Sequence, residues 1–216
     1  MSTTDLHRPN IVASTGADLQ DATVAVVMIH GRGDSGRGIL GLSQYLPSLD
    51  SLAYVAPQAT RNTWYPYSFL QPMENNEPWL SSALETVGAV VKQVKDAGVP
   101  SEKTVLLGFS QGACLASEYA ARHAKRYGGI VALSGGLIGP DGTPRHYDGD
   151  LAGTPALFGC SDIDPHIPAE RVHESAEVYT RLGADVDKRI YPNFGHSVND
   201  DELDYVRTLL TELAGG

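Results

Sequence analysis

The stretch LLGFSQGACLA, residues 106–116, places a serine between two glycines at the point where an apolar run gives way to small residues. The preceding run, KTVLLGF at 103–109, is typical of a buried strand, and residues 113–122 are typical of a helix. Ser110 therefore lies on a strand-to-helix turn, with Gly108 and Gly112 on either side. Such a turn exposes the hydroxyl beside the amino end of the helix, where the helix dipole favours a developing negative charge.

Short apolar runs that end in turn residues recur along the chain and predict further strands. These runs are 24–31, 53–57, 129–135, 155–160 and 187–192, with 10–15 as an antiparallel edge strand. Most runs lack polar alternation, which is typical of strands covered on both faces. Helical periodicity predicts helices at 80–94, 169–182 and 201–213, the first of them capped by Asn76. The alternation predicts one α/β domain over 1–216, a three-layer sandwich with a mostly parallel central sheet and helices on both faces.

Composition limits the classes of function that fit. Of the 216 residues 42% are hydrophobic and 19% charged, and the net charge of -10 disfavours nucleic acid as a partner. No apolar run approaches ~20 residues, so no membrane span is expected. The opening MSTTDLHRPN lacks the pattern of a secretory signal, and Cys114 and Cys160 are interpreted as buried thiols of a reducing compartment. We therefore expect a cytoplasmic protein.

The turn around Ser110 matches the Gly-x-Ser-x-Gly elbow that carries the nucleophile in the α/β-hydrolase fold. An incidental serine in a glycine-rich turn is the alternative, because the five-residue pattern alone is a weak signal. Its position between a buried strand and a helix of small residues favours the nucleophile. A neutral serine needs a base, and the base needs an acid that orients it.

The chain order of this fold, Ser then Asp or Glu then His, directs attention to two downstream loops. Asp164 lies in SDIDPHIP after the predicted strand 155–160, and His196 lies in NFGHS after the next. Both therefore fall at the carboxyl ends of strands, where ligands bind in open α/β sheets. Asp162 competes with Asp164, and a turn residue is the plain alternative for either. A surface loop histidine is the alternative for His196. The other histidines considered fit less well by element, order or spacing: His7, His123, His146, His166 and His173.

Backbone amides that stabilise an oxyanion are expected from two places. The amide of Gln111 follows the nucleophile, and the amide of Arg32 lies in the glycine-rich loop HGRGDSG at 30–36. The Arg32 side chain is expected in solvent or on a substrate. This loop does not match a phosphate-binding motif. An aromatic cluster in the irregular segment 58–77 is predicted to wall an apolar acyl or aryl site, with loop packing as the alternative; its members are Trp64, Tyr65, Tyr67 and Phe69.

Five ordered motifs resemble those of the phospholipase/carboxylesterase family of α/β-hydrolases, which includes acyl-protein thioesterases. They are HGRGDSG (30–36), APQA (56–59), GFSQGA (108–113), SDIDPHIP (161–168) and GHS (195–197). The sequence departs from the family's usual glycine before the acid segment, where Cys160 and Ser161 stand. The loop 60–78 is more similar to small bacterial esterases of the family than to acyl-protein thioesterases.

The resemblance implies Ser110 as nucleophile, Asp164 rather than Asp162 as acid and His196 as base, with the amides of Arg32 and Gln111 as oxyanion hole. It also implies hydrolysis of small-molecule carboxylic esters or thioesters without metal or organic cofactor, and a homodimer as one assembly the family forms. An acyl-protein thioesterase or lysophospholipase is the alternative within the family. A peptidase, an acyltransferase and a non-catalytic binding module on the same fold are the alternatives outside it.

Overall fold

The computed structural model describes residues 6–215, and within them seven strands form one sheet. The strands are β1 Ala13–Gly16, β2 Val24–Ile29, β3 Leu52–Ala56, β4 Thr104–Phe109, β5 Gly129–Leu133, β6 Pro155–Ser161 and β7 Asp185–Tyr191. Their spatial order is β1-β3-β2-β4-β5-β6-β7. Only β1 is antiparallel to its neighbour, which confirms the predicted edge strand and the mostly parallel sheet.

Helices alternate with most of the strands, as the sequence pattern predicts: four of the five join one strand to the next, and the last follows β7. They are α1 Gly36–Ile39, α2 Trp79–Asp96, α3 Gln111–Arg122, α4 Ala169–Arg181 and α5 Asp200–Gly215. Short 3-10 turns at 40–45, 60–62, 73–76 and 101–103 lie in the connections. The prediction that Asn76 caps α2 is wrong, because Asn76 is buried in one of these turns and its side chain binds the backbone of Tyr67 and Ser68. Pro78 immediately precedes the first residue of α2 instead.

Two apolar cores lie on the two faces of the sheet. In β2 the fully buried residues alternate, since Ala25, Val27 and Ile29 belong to one core and Val24 and Met28 to the other. The first core contains the inward faces of α2, α3 and α4, and the second contains those of α1 and α5. This is the predicted three-layer sandwich, and it explains why the strands are apolar without alternation.

Within residues 6–215, no helix is both long and apolar enough to cross a bilayer.

Candidate active site

The serine between two glycines lies on a sharp turn between β4 and α3. Ser110 has φ 55° and ψ −121°, a left-handed conformation that is strained for any residue with a side chain. Its amide donates to the carbonyl of Leu133 at 2.9 Å, which ties the turn to β5. A Cβ on Gly108 would collide with the backbone of Gly112, and one on Gly112 with the carbonyl of Ile29. Both glycines are therefore required for the helix to start this close to the sheet.

His196 joins the serine to a buried carboxylate. Its Nε2 lies 2.8 Å from Ser110 Oγ, and its Nδ1 lies 2.7 Å from Asp164 Oδ2. The His196 side chain is 18% exposed and that of Asp164 is fully buried, so substrate can reach the imidazole but water cannot reach the acid. A proton on Nδ1, donated to the carboxylate, leaves the Nε2 lone pair free to accept the serine proton.

Asp164 is held on both oxygens. Its Oδ1 accepts the backbone amides of His166 at 2.8 Å and Ile167 at 3.0 Å, and the Cys160 thiol lies 3.6 Å from Oδ2. Burial alone would raise the pKa of Asp164, but the hydrogen bonds from His196 and the two amides outweigh it and hold the pKa below its usual value. Burial raises the pKa of Cys160 to about 12, so the thiol keeps its proton and acts as a donor. The carboxylate thus stays ionised beside the imidazole.

Asp162, the competing aspartate, does not reach the histidine ring in this arrangement. Its Oδ1 accepts the amide of Asn193 at 2.8 Å. Asp162 therefore binds a neighbouring loop, whereas a turn-forming aspartate would bind the backbone of its own loop. His166 lies beside the site, with its ring edge-to-face on His196 at 4.9 Å between centroids. Phe109 also packs on His196, again at 4.9 Å. The sequence alone did not single out Phe109, because the Gly-x-Ser-x-Gly pattern accepts any residue at that position. Its position next to Ser110 was the one signal that could have indicated the contact with His196.

Arg32 and Gln111, whose backbone amides are the predicted oxyanion donors, both line the cleft that contains Ser110. Neither amide donates a hydrogen bond to another group among residues 6–215. Gln111 is the first residue of α3, so its amide has no partner within the helix and carries the positive end of the helix dipole. An oxyanion site requires free amide donors beside the nucleophile, so these two amides stay the candidates for that role.

The side chains of these same two residues hold the loop that walls the cleft. The Arg32 guanidinium donates to the carbonyls of Tyr65, Pro66 and Tyr67 at 2.8–2.9 Å. The Gln111 side chain accepts the amide of Trp64 at 2.9 Å and donates to the Tyr65 carbonyl at 2.8 Å. Arg32 is exposed and lines the cleft, which agrees with the expectation, but its guanidinium also binds these carbonyls, which the sequence did not indicate. The planar guanidinium has several N–H donors at fixed angles and can bind three converging carbonyls at once, whereas a lysine ammonium lacks this geometry.

The aromatic cluster divides between cleft and core. Tyr65, Tyr67 and Phe69 line a cleft of about 500 Å³ that contains Ser110 and His196, whereas Trp64 does not. Trp64 is fully buried, and its indole Nε1 donates to the carbonyl of His30 at 2.9 Å. It packs the loop onto the body, which was the alternative considered from the sequence. Ile167 and His166 complete the cleft on the side of the acid.

Two buried histidines anchor the same loop. The Nε2 of His30 accepts the amide of Ala59 at 3.1 Å, and the Nδ1 of His7 accepts the amide of Thr60 at 3.0 Å. Burial lowers the pKa of both rings, which suits the neutral tautomers that accept from an amide. His30 belongs to HGRGDSG, so the motif supplies loop packing as well as a glycine-rich turn. Cys114 and Cys160 are both free and buried, as expected.

Within the described part of the chain, no three histidine, cysteine or acidic side chains converge as a metal site would require.

Comparison with known proteins places this chain in a family. The sequence profile described as Phospholipase/Carboxylesterase matches residues 11–214. The chain is 30% identical over 208 residues to acyl-protein thioesterase 1 of Saccharomyces cerevisiae, covering 87% of this chain and 92% of that protein. A crystal structure of a phospholipase/carboxylesterase from Dyadobacter fermentans superimposes with a TM-score of 0.90 and 42% identity, covering 97% of this chain and 100% of that one. The crystal structure of esterase PE8 has a TM-score of 0.76 at 24% identity over 93% of this chain and 97% of its own, and so shows the shared fold.

Proposed function

This chain belongs to the phospholipase/carboxylesterase family of α/β-hydrolases, and we propose that it hydrolyses small carboxylic esters through Ser110, His196 and Asp164. The observation that carries the proposal is the unbroken path from Ser110 Oγ through both nitrogens of His196 to Asp164 Oδ2, at 2.8 and 2.7 Å. A binding module on this fold has no need of a strained serine with both partners in hydrogen-bonding distance.

The steps follow from these positions. His196 Nε2 takes the proton of Ser110 as its oxygen attacks the acyl carbon, and Asp164 stabilises the imidazolium that forms. The amides of Arg32 and Gln111 donate to the oxyanion of the tetrahedral intermediate. His196 then gives its proton to the leaving alcohol, which departs and leaves an acyl group on Ser110. A water activated by the same imidazole releases the acid and restores the hydroxyl.

The shape of the cleft supports acyl or aryl groups of modest size as substrates. About 500 Å³ is within the range of small-molecule sites, and apolar surface from Tyr65, Phe69, Phe109 and Ile167 borders the reacting serine. The side chain of Tyr67 stands at the mouth, 58% exposed.

Thioesters are the second substrate class, because the yeast relative is named an acyl-protein thioesterase. A thioester differs from an ester at the leaving atom, and the same serine, imidazole and amides serve both. An acylated protein as the natural substrate, a homodimer and a cytoplasmic location stay predictions from the sequence.

A substrate panel tests the proposal. Wild type and Ser110→Ala are assayed on p-nitrophenyl acetate, butyrate and octanoate, on the matching thioesters and on a peptide amide. We expect ester hydrolysis by wild type and a loss of roughly 10⁴–10⁶ in kcat for Ser110→Ala. A fluorophosphonate probe should label wild type and not the variant. Unchanged hydrolysis by Ser110→Ala would refute the nucleophile, and absence of both labelling and turnover in wild type would favour a binding module.

A further inference from the structure

The hydroxyl of Ser161 lies where two loops of the site meet. These are the acid loop, residues 162–167, and the base loop, residues 192–199. Ser161 is the last residue of β6 and is 1% exposed. Its Oγ accepts the amides of Phe194 at 3.2 Å and Gly195 at 3.0 Å in the base loop, and that of Ile163 at 3.2 Å in the acid loop. One buried oxygen therefore joins the loop of Asp164 to the loop of His196.

The next side chain continues this pattern. Asp162 Oδ1 accepts the amide of Asn193 at 2.8 Å, so three consecutive amides, at 193, 194 and 195, end on the side chains of Ser161 and Asp162. Asn193 and Gly195 have φ values of 54° and 84°, a tight left-handed turn outside any helix or strand. Because no regular element holds these three amides, the two side chains determine where the turn lies. The residue that follows the turn is His196.

We propose that Ser161 and Asp162 are positioning residues for the general base: they hold the three amides before His196 and thereby set its ring between Asp164 and Ser110. The proposal rests on the proposed function, since the ring position affects catalysis only if His196 transfers the proton. A misplacement of about 1 Å in such a site costs roughly 10² in rate. The pair Cys160–Ser161, where the sequence departs from the family's usual glycine, thus supplies a thiol to Asp164 and a hydroxyl to both loops.

The aromatic wall of the cleft, residues 65–69, is separate from this arrangement. The loop that walls the cleft is held by Arg32 and Gln111, not by Ser161 or Asp162. Loss of the Ser161 hydroxyl leaves three amides without their acceptor, and the base loop must shift to find water or other partners. Chemistry should therefore suffer while affinity for a bound analogue does not.

A matched pair of serines tests this. Ser175 is also fully buried, and its hydroxyl accepts the amide of Leu137 at 2.9 Å, but it lies on α4 and bonds to neither loop. We expect Ser161→Ala to lower kcat/KM for p-nitrophenyl butyrate by roughly 10². The inhibition constant of a non-hydrolysable amide analogue should stay within about twofold. Ser175→Ala should lose stability by thermal melting with little change in kcat/KM.

A proton NMR signal separates positioning from a general loss of stability. His196 Nδ1 lies 2.7 Å from Asp164 Oδ2, so the proton between them should resonate far downfield in wild type and in Ser175→Ala, and should broaden by exchange with water in Ser161→Ala. Ser161→Ala with wild-type kcat/KM and an unchanged signal would overturn the proposal. Full activity of Ser110→Ala would instead overturn the proposed function, whatever Ser161→Ala does.

Variants of Asp162 test the positioning role if Ser161→Ala does not fold. Asp162 is exposed, so its variants leave the core intact. Asp162→Ala removes the acceptor of the Asn193 amide and should lower kcat/KM by about fivefold to tenfold, whereas Asp162→Asn keeps an acceptor oxygen and should recover most of it. Equal activity of the two variants would refute the positioning role.

Discussion

Replacing Asp164 by asparagine should remove catalysis through the tautomer of His196. Asp164 Oδ1 accepts two backbone amides, from His166 and Ile167, and Oδ2 accepts from His196. In Asp164→Asn the amide oxygen must face the two backbone donors, so the NH₂ group faces His196 Nδ1. A donor cannot accept the Nδ1 proton. His196 then carries its proton on Nε2, directed at Ser110, and has no lone pair with which to take the serine proton.

The wrong tautomer in such a triad costs roughly 10⁴ in kcat, and we expect this magnitude for Asp164→Asn with folding intact. The assay is steady-state hydrolysis of p-nitrophenyl butyrate at neutral pH, with thermal melting as the check on folding. Asp162→Asn, measured beside it, should stay within about twofold of wild type, because its remaining oxygen still accepts the Asn193 amide. A crippled Asp162→Asn beside a near-normal Asp164→Asn would refute the assignment of the acid.

Three further variants test other parts of the site. Arg32→Ala removes the side chain that donates to the three carbonyls at 65–67 and should raise the KM for p-nitrophenyl butyrate roughly tenfold. Arg32→Lys should reverse only part of this rise in KM, because an ammonium lacks the planar arrangement of donors. Trp64→Ala should lower the free energy of unfolding in urea by about 3–5 kcal/mol, with the rate ratio of short to bulky esters unchanged, and an altered ratio would contradict its role in the core. Burial raises the pKa of Glu202 to about 7, so its contribution to stability is fully present below the unfolded value of 4.5 and is lost as pH rises from there to about 7; the stability of Glu202→Gln in urea should therefore rise relative to wild type across that range, by at most about 3 kcal/mol.

Local patterns predicted most of the regular elements. The strand at 24–29 lies within the predicted run 24–31, and the helix at 169–181 ends one residue before the predicted 182. The prediction for Asn76 was wrong because a capping residue and a buried turn residue look alike in sequence. Its side chain binds the backbone of Tyr67, nine residues earlier, a contact that no helical spacing records.

By itself, the sequence determined that Ser110, Asp164 and His196 follow β4, β6 and β7 in the order this fold uses. The physical reason is that parallel strands bring their carboxyl ends to one edge of the sheet, so residues after those strands must lie near one another. The sequence also indicated the tight turn at Ser110. A glycine two residues before and another two residues after the serine let the strand and helix backbones come closer than any side chain would allow.

Only the tertiary structure decided which partners those residues have. Asp164 and Asp162 are two residues apart and chemically alike, yet one meets His196 and the other the amide of Asn193. The Arg32 guanidinium ends on carbonyls 33–35 residues away. Such contacts depend on how loops from different strands pack against each other, which periodicity within one segment does not encode. Which side chain of one loop binds which group of another is therefore decided by the folded structure and not by any single motif.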